Sequence, residues 1–360
     1  MDTPAPAATS ASVTFDFTAS PICNPPRSAN PDVKSDCQQT ITRRLSEGLG
    51  MPTPVILDCD PGYDDVFAIW LAAANPEIDL LAITTVAGNG AVEHTSFNAR
   101  VACTVAGIHG VPVARGAAGP LAQMLKTADW IHGSNALGGV VLPEPAMALD
   151  DREATELIRD TLRGSESPVT IAATGPLTNI ALVVDGHPDL VERIERIIWM
   201  GGSTSRGNVS AYGEFNASTD PEALDLVLRS GIPFTMVGLN ISHQALIKRE
   251  VRSRIRGVGN ATGRFGGELL ERFCSTYDAF GDMPDGPLHD PITIALIADP
   301  AVATTRQARI DIELTGEHTR GATVVDLLEL SHRPKNATVA LDLDVDRFWR
   351  LIEDAVRALA

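Results

Sequence analysis

Two periods of apolar residues alternate along the chain from residue 54 onward. Short apolar runs predict buried strands, and stretches with an apolar residue every three to four positions predict amphipathic helices. The predicted strands cover residues 55–60, 78–86, 111–114, 169–173, 196–200, 234–237, 310–314, 323–325 and 337–343. The predicted helices cover residues 65–74, 95–106, 151–163, 176–184, 220–230, 248–256, 264–279, 291–298 and 345–359.

Strands that alternate with helices are typical of an α/β protein, with an open, mostly parallel β-sheet flanked by helices on both faces. In such a Rossmann-like core the ligand binds beyond the carboxyl ends of the strands. Polar residues gather at these ends, because Asp60, Asn89, Thr174 and the run from Met200 each follow a predicted strand. The pattern therefore predicts one site built from several loops.

The first 50 residues differ from the rest, since they are rich in Pro, Ala, Ser and Thr and show no sustained apolar period. Such a segment buries too little apolar surface to offset its ordering entropy, so we expect a disordered N-terminal extension. Met51 stands directly before the first strand, and we expect it to be the functional start. Residues 51–360 are then predicted to form a single domain.

Charge and composition narrow the possible partners. The formal net charge of −17 argues against nucleic acid, which is bound through clustered Lys and Arg. No apolar run approaches the roughly 20 residues that span a bilayer, so we expect no membrane partner. The five cysteines are scattered and have no metal-binding spacing, which favours a reducing, cytoplasmic setting.

Four carboxylates close the first predicted strand and open the first helix: Asp58, Asp60, Asp64 and Asp65. Like charges at short range repel and need a partner, and clustered oxygen ligands suit a hard cation such as Ca²⁺ or Mg²⁺. We interpret Asp60 and Asp65 as metal ligands and Asp58 as a buried hydrogen-bond acceptor. Asp64 has an alternative interpretation as the cap of the helix.

Other candidates lie far along the chain. His289 is suited to donate a proton near neutral pH, and Asp290 could reach the metal, although a helix cap beside an exposed histidine is the alternative. Asn208, Glu214 and Asn216 suit sugar hydroxyls, unless the asparagines only form turns. His132 could line the same cavity, although a loop histidine is more often incidental.

The stretch from Asp58 to Asp65 resembles the N-terminal signature of the inosine–uridine-preferring nucleoside hydrolases. The resemblance extends over residues 52–360, with matching segments in the right order. These segments are residues 86–89, 131–133, 174–179, 200–202, 211–216, 220–222 and 289–291.

The resemblance implies a set of roles for individual residues. Ca²⁺ would be held by the side chains of Asp60, Asp65 and Asp290 and by the main-chain carbonyl of Thr174. Ribose hydroxyls would be held by Asp64, Asn208, Glu214 and Asn216. The pocket wall would include Asn89 and Met200, with His132 near the base and His289 where the base departs.

The implied reaction is hydrolysis of the N-glycosidic bond of inosine- or uridine-type ribonucleosides to free base and ribose. Ca²⁺ would activate water, Asp60 would act as general base and His289 as proton donor. The resemblance also implies a homo-oligomer, either a dimer or a tetramer. The preference for purine or pyrimidine stays open, because Gly90 and Asn240 depart from the usual family residues.

Two alternatives remain at this stage. A haloacid-dehalogenase-type phosphatase also begins with a strand and D-x-D around Mg²⁺, but it needs a Thr where Gly62 stands. A non-catalytic ribose- or nucleoside-binding module could keep the same pocket. The presence of both Asp60 and His289 argues against such a module.

Overall fold

In the computed structural model, which describes residues 50–280 and 285–360, nine strands form one sheet. Their order is β3-β2-β1-β4-β5-β6-β9-β7-β8. The strands are β1 (Thr53–Cys59), β2 (Ile78–Thr85), β3 (Val113–Arg115), β4 (Val169–Ala173), β5 (Ile194–Met200), β6 (Phe234–Val237), β7 (Ala303–Ile312), β8 (Thr323–Asp326) and β9 (Ala337–Leu343). Neighbours from β3 to β9 pair in parallel, and β7 pairs antiparallel with β9 and β8.

Helices connect these strands. They are α1 (Asp65–Ala74), α2 (Val92–Val105), α3 (Asp129–His132), α4 (Ala154–Gly164), α5 (Thr178–Gly186), α6 (Phe215–Thr219), α7 (Pro221–Arg229), α8 (Leu239–Ser242), α9 (Arg249–Gly257), α10 (Ala261–Phe280), α11 (Pro291–Ala298) and α12 (Val345–Ala358). Two 3₁₀ turns, Pro188–Arg193 and Pro300–Val302, precede β5 and β7. No helix in the described ranges is long and apolar enough to cross a membrane.

The sheet separates two apolar cores, as the alternation of side chains along β1 demonstrates. Val55 and Leu57 join the core that contains α1, α2 and α9 to α12, whereas Ile56 joins the core that contains α4, α5 and α7. Successive side chains of a strand point to opposite faces, so helices cover both faces of the sheet. The predicted α/β architecture, with its mostly parallel sheet, is confirmed.

Several element bounds differ from the prediction. β7 begins at Ala303 rather than at residue 310, because its first half is polar and exposed and therefore carries little apolar period. The predicted loops around residues 116–139 and 203–219 contain α3 and α6. These helices have 4 and 5 residues, too few to produce a readable period.

The predicted N-terminal extension lies outside the described residues apart from Gly50, so its disorder and the start at Met51 stay predictions. Residues Pro52–Ala360 form one compact unit. Three cysteines in this unit, Cys59, Cys103 and Cys274, are buried and free. They pack as small apolar side chains, as expected.

Candidate active site

The carboxyl ends of β1, β2, β4 and β5 meet at a cleft of about 460 Å³. Ten of the residues predicted from the sequence line this cleft: Asp64, Asn89, His132, Thr174, Met200, Asn208, Glu214, Asn216, His289 and Asp290. Asp60 and Asp65 are fully buried, and each bonds to a lining residue: the Asn89 N–H donates to Asp60 and the Thr174 hydroxyl to Asp65. All the site residues predicted from the sequence therefore lie at or beside the cleft at the carboxyl ends of the strands.

Asp60 follows the last residue of β1, and only one of its two carboxylate oxygens has a hydrogen-bond partner. Its Oδ2 accepts the backbone N–H of Asn89 at 2.7 Å, and its Oδ1 has no hydrogen-bond partner although it is buried. Gly88 and Gly175 permit this placement, since a Cβ at either position would stand 2.1 or 2.7 Å from the carboxylate. A buried, unsatisfied carboxylate oxygen is costly and indicates an absent partner.

Asp65 begins α1, and its carboxylate accepts hydrogen bonds from two other segments of the site. Its Oδ2 accepts the Gly62 N–H at 2.9 Å, and its Oδ1 accepts the Thr174 hydroxyl at 2.7 Å. Thr174 follows β4, so this bond joins the ends of two neighbouring strands. The carboxylate is consequently fixed before any ligand binds.

Asp64 and Asp290 complete a group of acidic side chains around Asp65. One carboxylate oxygen from each of the three lies within 4.8 Å of the others. Neither Asp64 nor Asp290 caps its helix with its side chain, and Asp64 instead accepts the backbone N–H of His289 at 3.3 Å. The alternative interpretation of these residues as helix caps is therefore not supported.

Burial and mutual repulsion raise the pKa values of these carboxyl groups. Burial, followed by the charge of Asp65, raises the pKa of Asp64 to about 7. Burial and the neighbouring aspartates also raise the pKa values of Asp60 and Asp290 well above their usual range. A divalent cation would remove this penalty, and an all-oxygen donor set suits a hard cation.

The observed geometry differs in two respects from the ligand set expected from the resemblance. The tightest group contains Asp64, whereas Asp60 lies outside it. In addition, the Thr174 carbonyl already accepts the Asn216 amide at 2.8 Å, which leaves one of its two lone pairs. The residues present fit a cation, and the assignment of individual ligands stays a prediction.

One wall of the cleft is polar and is formed by the residue that caps α6 and by the first residues of α6. The Glu214 carboxylate accepts backbone N–H groups from Gly202 at 2.8 Å, from Asn216 at 3.0 Å and from Ala217 at 3.0 Å. Asn216 donates to the carbonyls of Thr174 and Met200, and its own Oδ1 is buried without a partner. This wall offers fixed donors and acceptors, which suit hydroxyl groups.

The opposite wall is aromatic. The His132 ring is buried and stacks on Tyr63, with centroids 5.3 Å apart, and on Phe273 at 5.9 Å. Gly62 permits this position, because a Cβ there would stand 2.5 Å from the imidazole. Burial lowers the pKa of His132 to about 3, so the ring is neutral and behaves as an aromatic surface.

His289 lines the same cleft, and both of its ring nitrogens have hydrogen-bond partners. Nδ1 is 2.7 Å from the Ser242 hydroxyl, and Nε2 is 3.2 Å from the Tyr277 hydroxyl. Burial, followed by His243 and His132, lowers the pKa of His289 well below its usual value. The residue is buried rather than exposed, so the alternative of an incidental surface histidine is wrong.

Asp58 lies apart from the cleft and has a structural role. Its Oδ1 accepts the Thr84 hydroxyl at 2.6 Å and the Asn179 amide at 2.8 Å. These bonds join β1 to β2 and to the first turn of α5. The interpretation of Asp58 as a buried acceptor is confirmed.

Sequence reasoning missed several residues of the cleft. These are Arg206, Ser242, His243, Phe273 and Tyr277, which line the cleft or contact His289. Phe273 and Tyr277 share one face of α10 because they are four positions apart, and that spacing is the signal that could have found them. The same spacing is common in ordinary core helices, so it did not distinguish them.

Comparison with known proteins adds an independent observation. The family described as "Inosine-uridine preferring nucleoside hydrolase" matches residues 55–350. The pyrimidine-specific ribonucleoside hydrolase RihA of Escherichia coli O127:H6 (strain E2348/69 / EPEC) is 44% identical over 311 residues. That alignment covers 86% of this chain and 100% of the relative.

Solved structures with the same fold carry related names. A purine-preferring ribonucleoside hydrolase from Gardnerella vaginalis superposes with a TM-score of 0.79 at 31% identity, over 85% of this chain and 98% of that one. An inosine-guanosine nucleoside hydrolase (IG-NH) gives a TM-score of 0.78 at 27% identity, over 86% and 100%. The fold, the site geometry and the sequence similarity are therefore consistent with one another.

Proposed function

The chain belongs to the inosine-uridine preferring nucleoside hydrolase family and is an enzyme that hydrolyses the N-glycosidic bond of ribonucleosides. From this premise we propose a role for each residue of the cleft. Water attacks the anomeric carbon while Asp60 acts as general base, and His289 supplies a proton to the departing nucleobase. The single observation that carries this proposal is the buried, unpartnered Oδ1 of Asp60 beside the acidic group of Asp64, Asp65 and Asp290. No observation favours a phosphatase.

The cation is Ca²⁺, with Asp60, Asp65, Asp290 and the Thr174 carbonyl as its protein ligands. Support comes from the all-oxygen donor set and from the raised pKa values of the carboxyl groups, which a divalent charge would reverse. When bound there, Ca²⁺ would lower the pKa of a water molecule and so favour its deprotonation. Asp60 accepts that proton, since its buried Oδ1 has no hydrogen-bond donor.

The polar wall holds the sugar. Asp64, Asn208, Glu214 and Asn216 bind ribose hydroxyls, and Asn89 and Met200 close the cleft around the ring. Positive charge develops on the ribose as the bond to the base breaks. Buried carboxylates aimed at that charge stabilise the transition state more than the substrate, and this difference is what accelerates the reaction.

The aromatic wall holds the base. His132 and Phe273 offer flat surfaces for stacking. His289 is neutral at pH 7, and a neutral imidazole still carries one N–H that can be donated to the departing base. Tyr277 and Ser242 fix the plane of that ring through its two nitrogens.

Pyrimidine ribonucleosides such as uridine and cytidine are the preferred substrates. Support comes from the pyrimidine-specific relative, which is 44% identical, whereas the purine-preferring enzyme of known structure is 31% identical. The buried free cysteines support a reducing, cytoplasmic setting. A homo-oligomer, either a dimer or a tetramer, is proposed on family resemblance, and light scattering of the purified protein would measure it.

A substrate panel tests the proposed function. Purified protein is incubated with uridine, cytidine, inosine and a phosphomonoester, and ribose and phosphate release are measured with and without EDTA. We expect Ca²⁺-dependent ribose release, fastest with the two pyrimidine nucleosides, and no phosphate release. Faster release from inosine would contradict the pyrimidine preference, and no ribose release from any nucleoside would contradict the enzyme assignment.

A further inference from the structure

Arg206 is the one permanently charged cation among the described residues that line the cleft. The other charged groups there are the carboxylates of Asp64, Glu214 and Asp290. Burial lowers the pKa of His132 to about 3 and, with the Arg206 charge, that of His243 to about 4, so these two lining rings are neutral at pH 7. A substrate that brings negative charge into the cleft therefore meets a single fixed positive partner from the protein.

The guanidinium of Arg206 has no hydrogen-bond or ion-pair partner among the described residues. Arg309, Arg320 and Arg347, for example, each pair with a carboxylate within 2.6 Å. Arg206 is exposed although its backbone neighbours are held in place. The arginine fork is thus available to a ligand.

The backbone on both sides of Arg206 is fixed by local bonds. The Ser205 N–H donates to the Ser203 hydroxyl at 3.1 Å, and the Gly207 N–H donates to the Ala211 carbonyl at 3.0 Å. Gly207 allows the close approach of the loop, because a Cβ there would stand 2.1 Å from the Gly213 carbonyl oxygen. The loop therefore presents Arg206 at a defined place on the rim.

Arg206, His243 and His289 line the same cleft. The Arg206 charge acts on the His243 ring, since burial, followed by the Arg206 guanidinium, lowers the pKa of that ring to about 4. The His243 ring is 5.7 Å from the His289 ring, centroid to centroid. Arg206 is therefore near the residue proposed to serve the departing base.

We propose that Arg206 is a catalytic residue that binds a carbonyl oxygen of the departing pyrimidine and stabilises the negative charge that develops on it. This role rests on the proposed function. The C1′–N1 bond breaks with its electron pair on N1, and conjugation shares that charge with the ring carbonyl oxygens. A guanidinium offers paired N–H donors to such an oxygen and stays charged throughout.

The remaining atoms balance without a further reactant. Water supplies the hydroxyl group that bonds to C1′, and Asp60 takes the proton released from that water. The base anion takes a proton that is relayed from solvent through the neutral ring of His289, and Asp60 returns its own proton to solvent. Arg206 transfers no proton, because its pKa stays above about 12 in proteins. Arg206 instead stabilises the negative charge of the departing base, and it favours bases that share this charge with a carbonyl oxygen.

The test compares two leaving groups in the full-length protein. Uridine needs its leaving charge stabilised, whereas 4-nitrophenyl β-ribofuranoside releases an anion that is stable without help. We expect Arg206→Met to lower kcat on uridine by about 10–100-fold, in the lower range for removal of one charge-stabilising donor, and to cause a clearly smaller loss on the nitrophenyl riboside. Arg206→Lys should recover part of the uridine rate, because it keeps the charge and loses the fork.

Arg249→Met serves as the matched control, since Arg249 is an exposed arginine on α9 that does not line the cleft. It should leave both rates unchanged. Equal losses on the two substrates with Arg206→Met, or an unchanged rate on uridine, would overturn the proposed role of Arg206 alone. Wild-type protein that releases ribose from neither substrate would instead overturn the proposed function, and the role with it.

Discussion

Two ends of one cleft are built in opposite ways. We define the carboxylate end as Asp60, Asp64, Asp65 and Asp290, and the base end as His132, Arg206, His243, Phe273, Tyr277 and His289. At the carboxylate end, backbone and side-chain donors hold buried groups at the carboxyl ends of strands. At the base end, the Arg206 side chain is exposed and has no hydrogen-bond or ion-pair partner among the described residues. The rigid end suits chemistry common to all ribonucleosides, and the looser end suits a choice among bases.

Removal of the cation should have the largest effect, because it disables the carboxylate end entirely. We expect EDTA to abolish ribose release from uridine and added Ca²⁺ to restore it. The melting temperature should also fall, since a cation that binds only the folded state stabilises it. Full activity after exhaustive chelation, verified by elemental analysis of the protein, would contradict a metal-dependent carboxylate end.

The affinity for Ca²⁺ should depend on pH. Burial and the neighbouring aspartates raise the pKa values of the proposed ligands Asp60 and Asp290 well above their usual range, and burial followed by the charge of Asp65 raises the pKa of the adjacent Asp64 to about 7. Protons therefore compete with the cation below that pH. We expect affinity, measured by calorimetry, to weaken by about tenfold per pH unit below pH 7 for each proton displaced. A Kd that is constant between pH 5 and pH 8 would show that the buried carboxyl groups are ionised without the metal.

Substitution of Asp60, the proposed general base, should have the next largest effect. Asp60→Asn preserves the shape of the side chain but cannot accept the proton of water, so we expect kcat to fall by about 10²–10⁴-fold. Asp79→Asn, on the exposed part of β2, is the matched control and should not change kcat. A loss below tenfold in Asp60→Asn would assign the proton to another group.

Truncation at the base end should change binding more than chemistry. Phe273 stacks with His132 and Tyr63, and base stacking on an aromatic ring contributes about 1–3 kcal/mol. We therefore expect Phe273→Ala to raise KM for uridine by about tenfold, with a smaller change in kcat. Steady-state kinetics would measure both values, and an unchanged KM would remove Phe273 from the base site.

The smallest effect on catalysis should come from Asp58, which belongs to the same sequence motif but lies outside the cleft. Asp58→Ala leaves the Thr84 hydroxyl and the Asn179 amide without their acceptor, which costs about 1–3 kcal/mol of stability. Urea unfolding should detect this loss, while the Ca²⁺ affinity of the folded protein stays near that of wild type. Lost Ca²⁺ affinity at unchanged stability would move Asp58 into the metal site.

The two ends also differ in how far the sequence predicts them. Asp60 and Asp65 are neighbours in the chain at the end of a strand, so their proximity follows from local geometry. Phe273 and Ser242 come from helices far apart in sequence, and neither residue type signals chemistry by itself. The packing of α8 and α10 beside the sheet brings Ser242 to His289 and Phe273 to His132, and no local pattern encodes that packing.

The same reasoning applies to the fold. The parallel order of the inner strands followed from the alternation of strands and helices. The first half of β7 did not, because its polar residues from Thr304 to Gln307 are exposed and hide the strand period. Tertiary pairing with β9, rather than the local pattern, determines where that strand begins.

The division of the cleft into two ends is tested most directly by the leaving-group dependence of two variants. Asp60→Asn should lower kcat by similar factors on uridine and on 4-nitrophenyl β-ribofuranoside, because both need the attacking water. His289→Ala should lower kcat on uridine by about 10²-fold and change the nitrophenyl riboside far less, since only uridine needs a proton for its base. Equal losses on both substrates in His289→Ala would contradict the account.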